Sequence, residues 1–282
     1  MEDLGYYNGR IGRLQDMSVP FLDRGHFFGD GVYEVTLARN YIIYALREHI
    51  DRLYRSAAAI DINIPLSKDE LAQLLSKLVK MLDYPDQLVY FQVTRGTGVR
   101  GHAYSDDMRG NLWVSLTHGQ PKDIHKKINA ITAHDTRWHH CNIKSLNLIP
   151  NVMYAQNAKN AEAYETILHR DGMVTECSHS NVHIINQRGH FQTHPTDELI
   201  LDGIARRHLI RACHELGINV VEEPFTLDEM MSAKEILTSS STAFCYICDQ
   251  INGQAVGGKA TDIAELLRDT VIKYFIDATG GT

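Results

Sequence analysis

One short stretch does most to limit what this chain can become. Over residues 118–124 (HGQPKDI), glycine, proline and charge interrupt the patterns on either side. A linker there divides the 282 residues into a small domain over 1–118 and a larger one over 125–282, joined by 119–124, each long enough to bury its own core. In the first part, residues 47–61 place Ile50, Leu53, Tyr54 and Ala57 on one side of a helix. Residues 68–82 do the same with Leu71, Leu74, Leu75, Leu78 and Leu82, behind a Ser67 cap. Strands are expected at 88–93 and 112–117, on either side of a glycine-rich loop. In the second part, 129–133 and 235–238 read as strands. The Asp171-Gly172 pair closes a hairpin between 167–170 and 173–175, and residues 187–189 close another between 182–185 and 191–194. Helices are expected over 205–216, ended by Gly217, and over 261–277. This irregular mixture disfavours a doubly wound sheet and points to an α/β (α+β-like) chain of two domains with a cleft between them.

Composition narrows the function classes. With 28 basic against 35 acidic side chains the formal net charge is −7, which gives a phosphate backbone no basic stripe to bind, so no nucleic-acid partner is expected. The N-terminal residues carry charges throughout, and the nearest uncharged apolar run, 41–46, is far too short to cross a bilayer. Five cysteines form no disulfide framework. A cytoplasmic protein without a membrane partner is the expectation.

Several residues could carry chemistry. Lys144 lies in the run Cys141-Asn142-Ile143-Lys144-Ser145-Leu146-Asn147-Leu148. If that run is a strand, the lysine shares a face with Leu146 and Leu148. An apolar face disfavours the ammonium form and leaves an amine able to attack a carbonyl, although a lysine snorkelling at a strand end is the commoner arrangement. The turn Leu201-Asp202-Gly203-Ile204-Ala205 opens the 205–216 helix, where amides and helix dipole suit an anion, and Ser239-Ser240-Ser241-Thr242 offers hydroxyls at a strand end. Neither GxxxxGK[ST] nor GxGxxG occurs. Arg52, Arg95, Arg100 and Arg137 are forks suited to carboxylate or phosphate, with surface charge the plainer reading of most arginines. No metal site is expected: His139-His140-Cys141 would point to opposite faces of a strand, His179 and His183 lack an HExxH pattern, and Cys245-Tyr246-Ile247-Cys248 reads as core.

Six stretches resemble one family, in its order and across nearly the whole chain: DRGHFFGDGVYEV (23–35), EHIDRLY (48–54), YFQVTRGTGVRGHA (90–103), TRWHHCNIKSLNL (136–148), ILHRDGMVTECSHSNV (167–182) and ILDGIARRHLI (200–210). The chain is similar to the fold-type IV pyridoxal-phosphate enzymes, above all their D-amino-acid transaminase branch. The resemblance implies a small N-terminal α/β domain, a larger barrel-like C-terminal domain and pyridoxal 5'-phosphate as cofactor. Lys144 is implied as the Schiff-base lysine and proton shuttle, and Glu176 as partner of the protonated pyridine nitrogen. Arg52, Ile204, Ala205 and Ser240 are implied as phosphate ligands, Leu201 as packing on the ring, and Arg137 as lying near the phenolate oxygen. Tyr33 is implied beside the substrate, with Arg100 and His102 as a carboxylate trap reaching in from the neighbouring subunit of a homodimer. Two positions depart from the pattern. Ala205 stands where threonine is frequent, and His179 where small serines are usual.

The implied reaction is ping-pong transfer of an amino group from a D-amino acid to a 2-oxo acid such as pyruvate or 2-oxoglutarate. Branched-chain L-amino-acid and (R)-amine transaminases are rivals within the fold. An amine without a carboxylate would leave Arg100, His102 and Arg137 unpaired. An aminodeoxychorismate-lyase-like enzyme and a non-catalytic binding protein are remoter alternatives.

Overall fold

The computed structural model describes residues 2–121 and 123–281; Lys122, inside the expected linker, lies outside them. The chain forms two compact units. One comprises the residues through Gln120, Ile143–Asn147 and the residues from Phe275 on, and the other comprises Pro121–Asn142 and Leu148–Tyr274. The backbone therefore passes from one unit to the other more than once.

The first unit is built on a six-stranded antiparallel sheet. Its strands are β1 (Leu4–Tyr7), β2 (Arg10–Gly12), β3 (Gly31–Arg39), β4 (Ile42–Ile43), β5 (Gln87–Thr94) and β6 (Asn111–His118), in the order β2-β1-β6-β5-β3-β4. A short helix α1 (Arg24–Phe28) precedes β3, and α2 (Leu46–Ala58) and α3 (Lys68–Leu78) lie between β4 and β5 in the chain. Alternation fixes which side of the sheet they cover. Val89, Phe91 and Val93 of β5 and Leu112, Val114 and Leu116 of β6 are buried with Ile50 and Leu53 of α2 and Leu71, Leu75 and Leu78 of α3. Each fully buried side chain of this kind contributes about 1.5–3 kcal/mol. The helix entry expected at Ser67 is a capping box: its hydroxyl accepts from the Glu70 amide, and Glu70 answers at the Ser67 amide.

The second unit carries β7 (Ile128–His134), β8 (Glu165–Arg170), β9 (Met173–Cys177), β10 (Asn181–Ile185), β11 (Phe191–Thr193), β12 (Val220–Glu222), β13 (Glu235–Ser239), β14 (Tyr246–Ile251) and β15 (Gln254–Ala255). The main path runs β12-β11-β10-β13-β14-β7-β8-β9, with β15 on β14, and mixes parallel and antiparallel pairs. β9 also lies against β10, although they are not ladder neighbours, so the sheet curls. Helices α4 (Ile149–Asn160), α5 (Ile204–Glu215) and α6 (Leu227–Ser232) accompany it, and α7 (Thr261–Ala278) follows. Both expected hairpins form. In the first, Asp171 and Gly172 adopt positive φ (48° and 81°), as a two-residue hairpin turn requires.

Two local expectations are corrected. The run around Lys144 is not a strand: it makes a single bridge, Ser145 to Val32, within bends. Residues 139–141 are likewise bend and turn rather than strand. No helix among the described residues is long and apolar enough to cross a membrane.

Candidate active site

In the first unit, chemistry gathers along β3, on the side where Ile143–Asn147 run beside it. The strand alternates, so Val32, Glu34 and Thr36 point inward while Tyr33 and Val35 stand on the other face. An acid at an inward position must be paired, and α2 supplies the partners three residues apart, His49 and Arg52. Arg52 grips Glu34 with a fork, Nε to Oε1 at 2.8 Å and Nη2 to Oε2 at 2.7 Å. His49 Nδ1 lies 2.7 Å from Oε2. Burial alone would raise the Glu34 pKa, but the Arg52 guanidinium and the His49 ring outweigh it and hold the carboxyl at about 2. Burial pushes His49 down, so at neutral pH its ring is uncharged; the ionised Glu34 can only accept, so Nδ1 carries the proton.

Lys144 is pinned beside this group by its own backbone. Its carbonyl accepts from the Tyr33 amide at 3.0 Å, and its amide donates to Ser56 Oγ of α2 at 3.1 Å. The Leu146 amide then donates to Gly31 O at 2.9 Å. These bonds leave the half-buried lysine's Nζ 4.3 Å from the centre of the Tyr33 ring, which stacks on Tyr90 at 5.6 Å. Arg100 and His102 stand exposed on the loop from β5 to β6, both against Phe28: the Arg100 guanidinium carbon is 5.1 Å from the ring centre and the His102 ring 5.4 Å.

In the second unit, Glu176 at the end of β9 is 6% exposed and receives three donors. Arg137 Nη1 lies 2.5 Å from Oε1, while Asn181 Nδ2 and the Leu201 amide each lie 3.0 Å from Oε2. Burial pushes this carboxyl above its ordinary range, and Arg137 pulls the other way. Arg137 is itself raised, since Glu176 and Asp135 outweigh the burial that would lower it. Asp135 holds it at Nε and Nη2, both at 2.9 Å, and also receives Arg170 and Thr175. Asn181 fastens the turn before α5 by donating to Leu201 O at 2.9 Å. A Cβ on Gly203 would meet Asn181 Oδ1 at 2.1 Å, so the turn closes this tightly only with glycine. Gly203 caps α5 without a side-chain acceptor, and Ile204 and Ala205 are its first residues. Ser240 follows directly on β13, whose last residue Ser239 pairs with Asn181 across the sheet. Asn181 thus links the carboxylate, the helix entry and the hydroxyl-bearing strand end. A helix N-terminus beside hydroxyls is chemistry for an anion, and a buried acceptor-only carboxylate is chemistry for a cation.

Residues 31–251 match the family described as amino-transferase class IV. The chain belongs to this family. The aminotransferase is 42% identical over 256 residues to the D-alanine aminotransferase of Bacillus licheniformis, covering 90% of each chain. It is 41% identical over 280 residues to the D-alanine aminotransferase of Listeria monocytogenes, covering 97% of this chain and 96% of that one. Among solved structures it resembles the branched-chain amino acid aminotransferase from Escherichia coli, with a TM-score of 0.88 at 19% identity over 99% of this chain and 96% of that chain. Identity at that level speaks for the fold, and the two-domain fold-type IV α/β architecture is this aminotransferase's own.

Within the first unit, then, the Lys144 amine lies over Tyr33, while Arg52 pairs with Glu34 on the helix whose Ser56 bonds the Lys144 amide; within the second, Arg137, Glu176 and Leu201 are joined by hydrogen bonds, with Ile204, Ala205 and Ser240 at the adjoining helix entry and strand end. Glu34, His49, Ser56, Asp135 and Asn181 complete these groups and escaped sequence reasoning. Glu34 alone left a trace, as a charge at an inward position of an alternating strand. His179 pairs with a different buried acid, its Nδ1 3.0 Å from Glu165 Oε2.

Proposed function

We propose that this aminotransferase moves the amino group of a D-amino acid to a 2-oxo acid, pyruvate or 2-oxoglutarate, using pyridoxal 5'-phosphate. The observation that carries the reading is 41–42% identity with two D-alanine aminotransferases over nine-tenths or more of the chain. The branched-chain reading draws on fold likeness at 19–22% identity.

The donor set fits the cofactor. Glu176 offers a carboxylate for a protonated ring nitrogen, and Arg137 a guanidinium for the phenolate. Leu201 would pack on the ring, while Ile204 and Ala205 at the α5 entry, Ser240 and Arg52 offer amides, hydroxyl and charge for a phosphate. When bound, pyridoxal 5'-phosphate supplies an aldehyde that bonds an amine and a ring that takes up electrons from the substrate's α-carbon. The protein's own work is positional. Lys144 Nζ would take the proton from the substrate's α-carbon, so it must be aimed; the Tyr33 ring it lies over and the backbone bonds on either side restrict where it can go. Arg137 and Asn181 hold the Glu176 carboxylate still, which keeps a proton on its partner. Arg100 and His102 bind the substrate carboxylate, and a fixed carboxylate presents the α-hydrogen of only one enantiomer to Lys144. We assign that pair to the neighbouring subunit's site in a homodimer, and the protein to the cytoplasm, where its five buried, unpaired cysteines suit reducing conditions.

Turnover of D-alanine, L-leucine and (R)-1-phenylethylamine against 2-oxoglutarate tests the assignment. D-Alanine is expected to react and the other two to lag far behind. Reaction of L-leucine alone would overturn the substrate class.

A further inference from the structure

We propose that Arg24 and Phe28, on the short helix α1, are positioning residues for carboxylate recognition by Arg100 and His102, a role that depends on reading that pair as the carboxylate-binding end. The loop carrying the pair is exposed, and an exposed loop samples many conformations unless its backbone is held. Arg24 holds it. The residue is 3% exposed, and it spends two donors on the peptide carbonyls that follow Arg100: Nη1 to Gly101 O at 2.6 Å and Nη2 to His102 O at 3.1 Å. Its Nε donates to Asp30 Oδ2 at 2.7 Å. A buried guanidinium is costly unless partnered, and the hydrogen bonds of this one go to the loop and to the acid that aims the fork.

Asp30 ties this clamp to the rest of the unit. It also accepts from Arg95 Nε at 2.8 Å, and the other two nitrogens of Arg95 donate to Asp61 O at 2.9 Å and Ile60 O at 2.7 Å, just beyond α2. The loop is thereby fixed through Arg24, Asp30 and Arg95 to the helix that carries Arg52 and Ser56. Phe28 supports the side chains. Its ring centre lies 4.9 Å from the Arg24 guanidinium carbon and 5.1 Å from that of Arg100, with the His102 ring at 5.4 Å. One aromatic ring therefore contacts the clamp and both members of the pair it serves.

Steady-state kinetics on Arg24→Ala, Arg24→Lys and Phe28→Leu, beside Arg100→Ala and the unaltered enzyme, separate positioning from mere stability. The substrates are 2-oxoglutarate and whichever alanine enantiomer the enzyme turns over, with acetate as a carboxylate-only inhibitor. Arg24→Ala is expected to raise KM and the acetate inhibition constant on the order of ten- to a hundredfold while kcat falls by less than about threefold. Arg24→Lys, which keeps the charge but cannot reach both carbonyls, is expected to fall between, and Phe28→Leu to raise both constants several-fold. If Arg24→Ala does not fold, the other two variants decide. The proposal is overturned if they leave KM and acetate inhibition unchanged while Arg100→Ala weakens both. If Arg100→Ala also changes neither, the carboxylate-binding assignment fails and this proposal with it. An unaltered enzyme that moves no amino group would instead refute the functional reading.

Discussion

Glu34 is the position where one side chain holds the most together. It is fully buried and joins β3 to His49 and Arg52 of α2. Glu34→Gln removes the carboxylate charge that His49 and Arg52 share and leaves the Arg52 fork facing an amide. Breaking a buried ion pair from one side costs about 3–5 kcal/mol, and urea unfolding is expected to register a loss of that size, accompanied by a fall in turnover. A loss under about 1 kcal/mol would mean the pair is not desolvated as described. The sequence alone made Arg52 legible as an arginine inside an amphipathic helix, but not its partner. Pairing across elements depends on how β3 and α2 pack, and neither local spacing nor composition records that. Asn181 is a similar case. Its importance comes from a carboxylate five residues back and a turn twenty residues on, which meet only in the folded sheet.

Elements with a strong period were readable, and those without one were not. α2 and α3 announce themselves by leucine spacing and the Ser67 cap, and the Asp171-Gly172 hairpin by the positive φ it needs. α4 went unassigned because its apolar residues do not line one side: Tyr154 and Ala158 are buried, while Ile149, Val152 and Met153 are exposed. β10 carries a different hidden property. His183 is buried within it, between Thr193 Oγ1 at 2.8 Å and Ser239 Oγ at 2.9 Å. Burial, helped by Arg206, holds its pKa well below the usual value. The unfolded chain therefore binds a proton that the folded chain refuses as pH drops below about 6.5. Stability is complete above that pH and falls beneath it, by about 1.4 kcal/mol per pH unit for each such histidine. His49 acts in the same direction, Glu34 adds a further loss below about pH 4.5, and Glu176, shifted upward, opposes them. Urea unfolding between pH 7.5 and 5 is expected to show this slope, and His183→Gln to flatten it. An unchanged slope would place the titration elsewhere.

At the scale of the molecule, the break after His118 is readable in the sequence as a change of pattern, but the threading of the chain is not. Ile143–Asn147 belong with the first unit although the residues on both sides belong with the second. The alternating apolar residues of the run leave a strand open as a reading of the sequence. In the fold the run borrows two hydrogen bonds from β3 and one from Ser56, and these place the Lys144 amine over Tyr33. The position of that amine is what the whole account depends on. Borohydride reduction of the purified enzyme loaded with pyridoxal 5'-phosphate, followed by proteolysis and mass spectrometry, reads it directly. A single phosphopyridoxyl group on the peptide containing Lys144, absent from Lys144→Ala together with turnover, is the predicted result. A label on another lysine, or full turnover by Lys144→Ala, would contradict it.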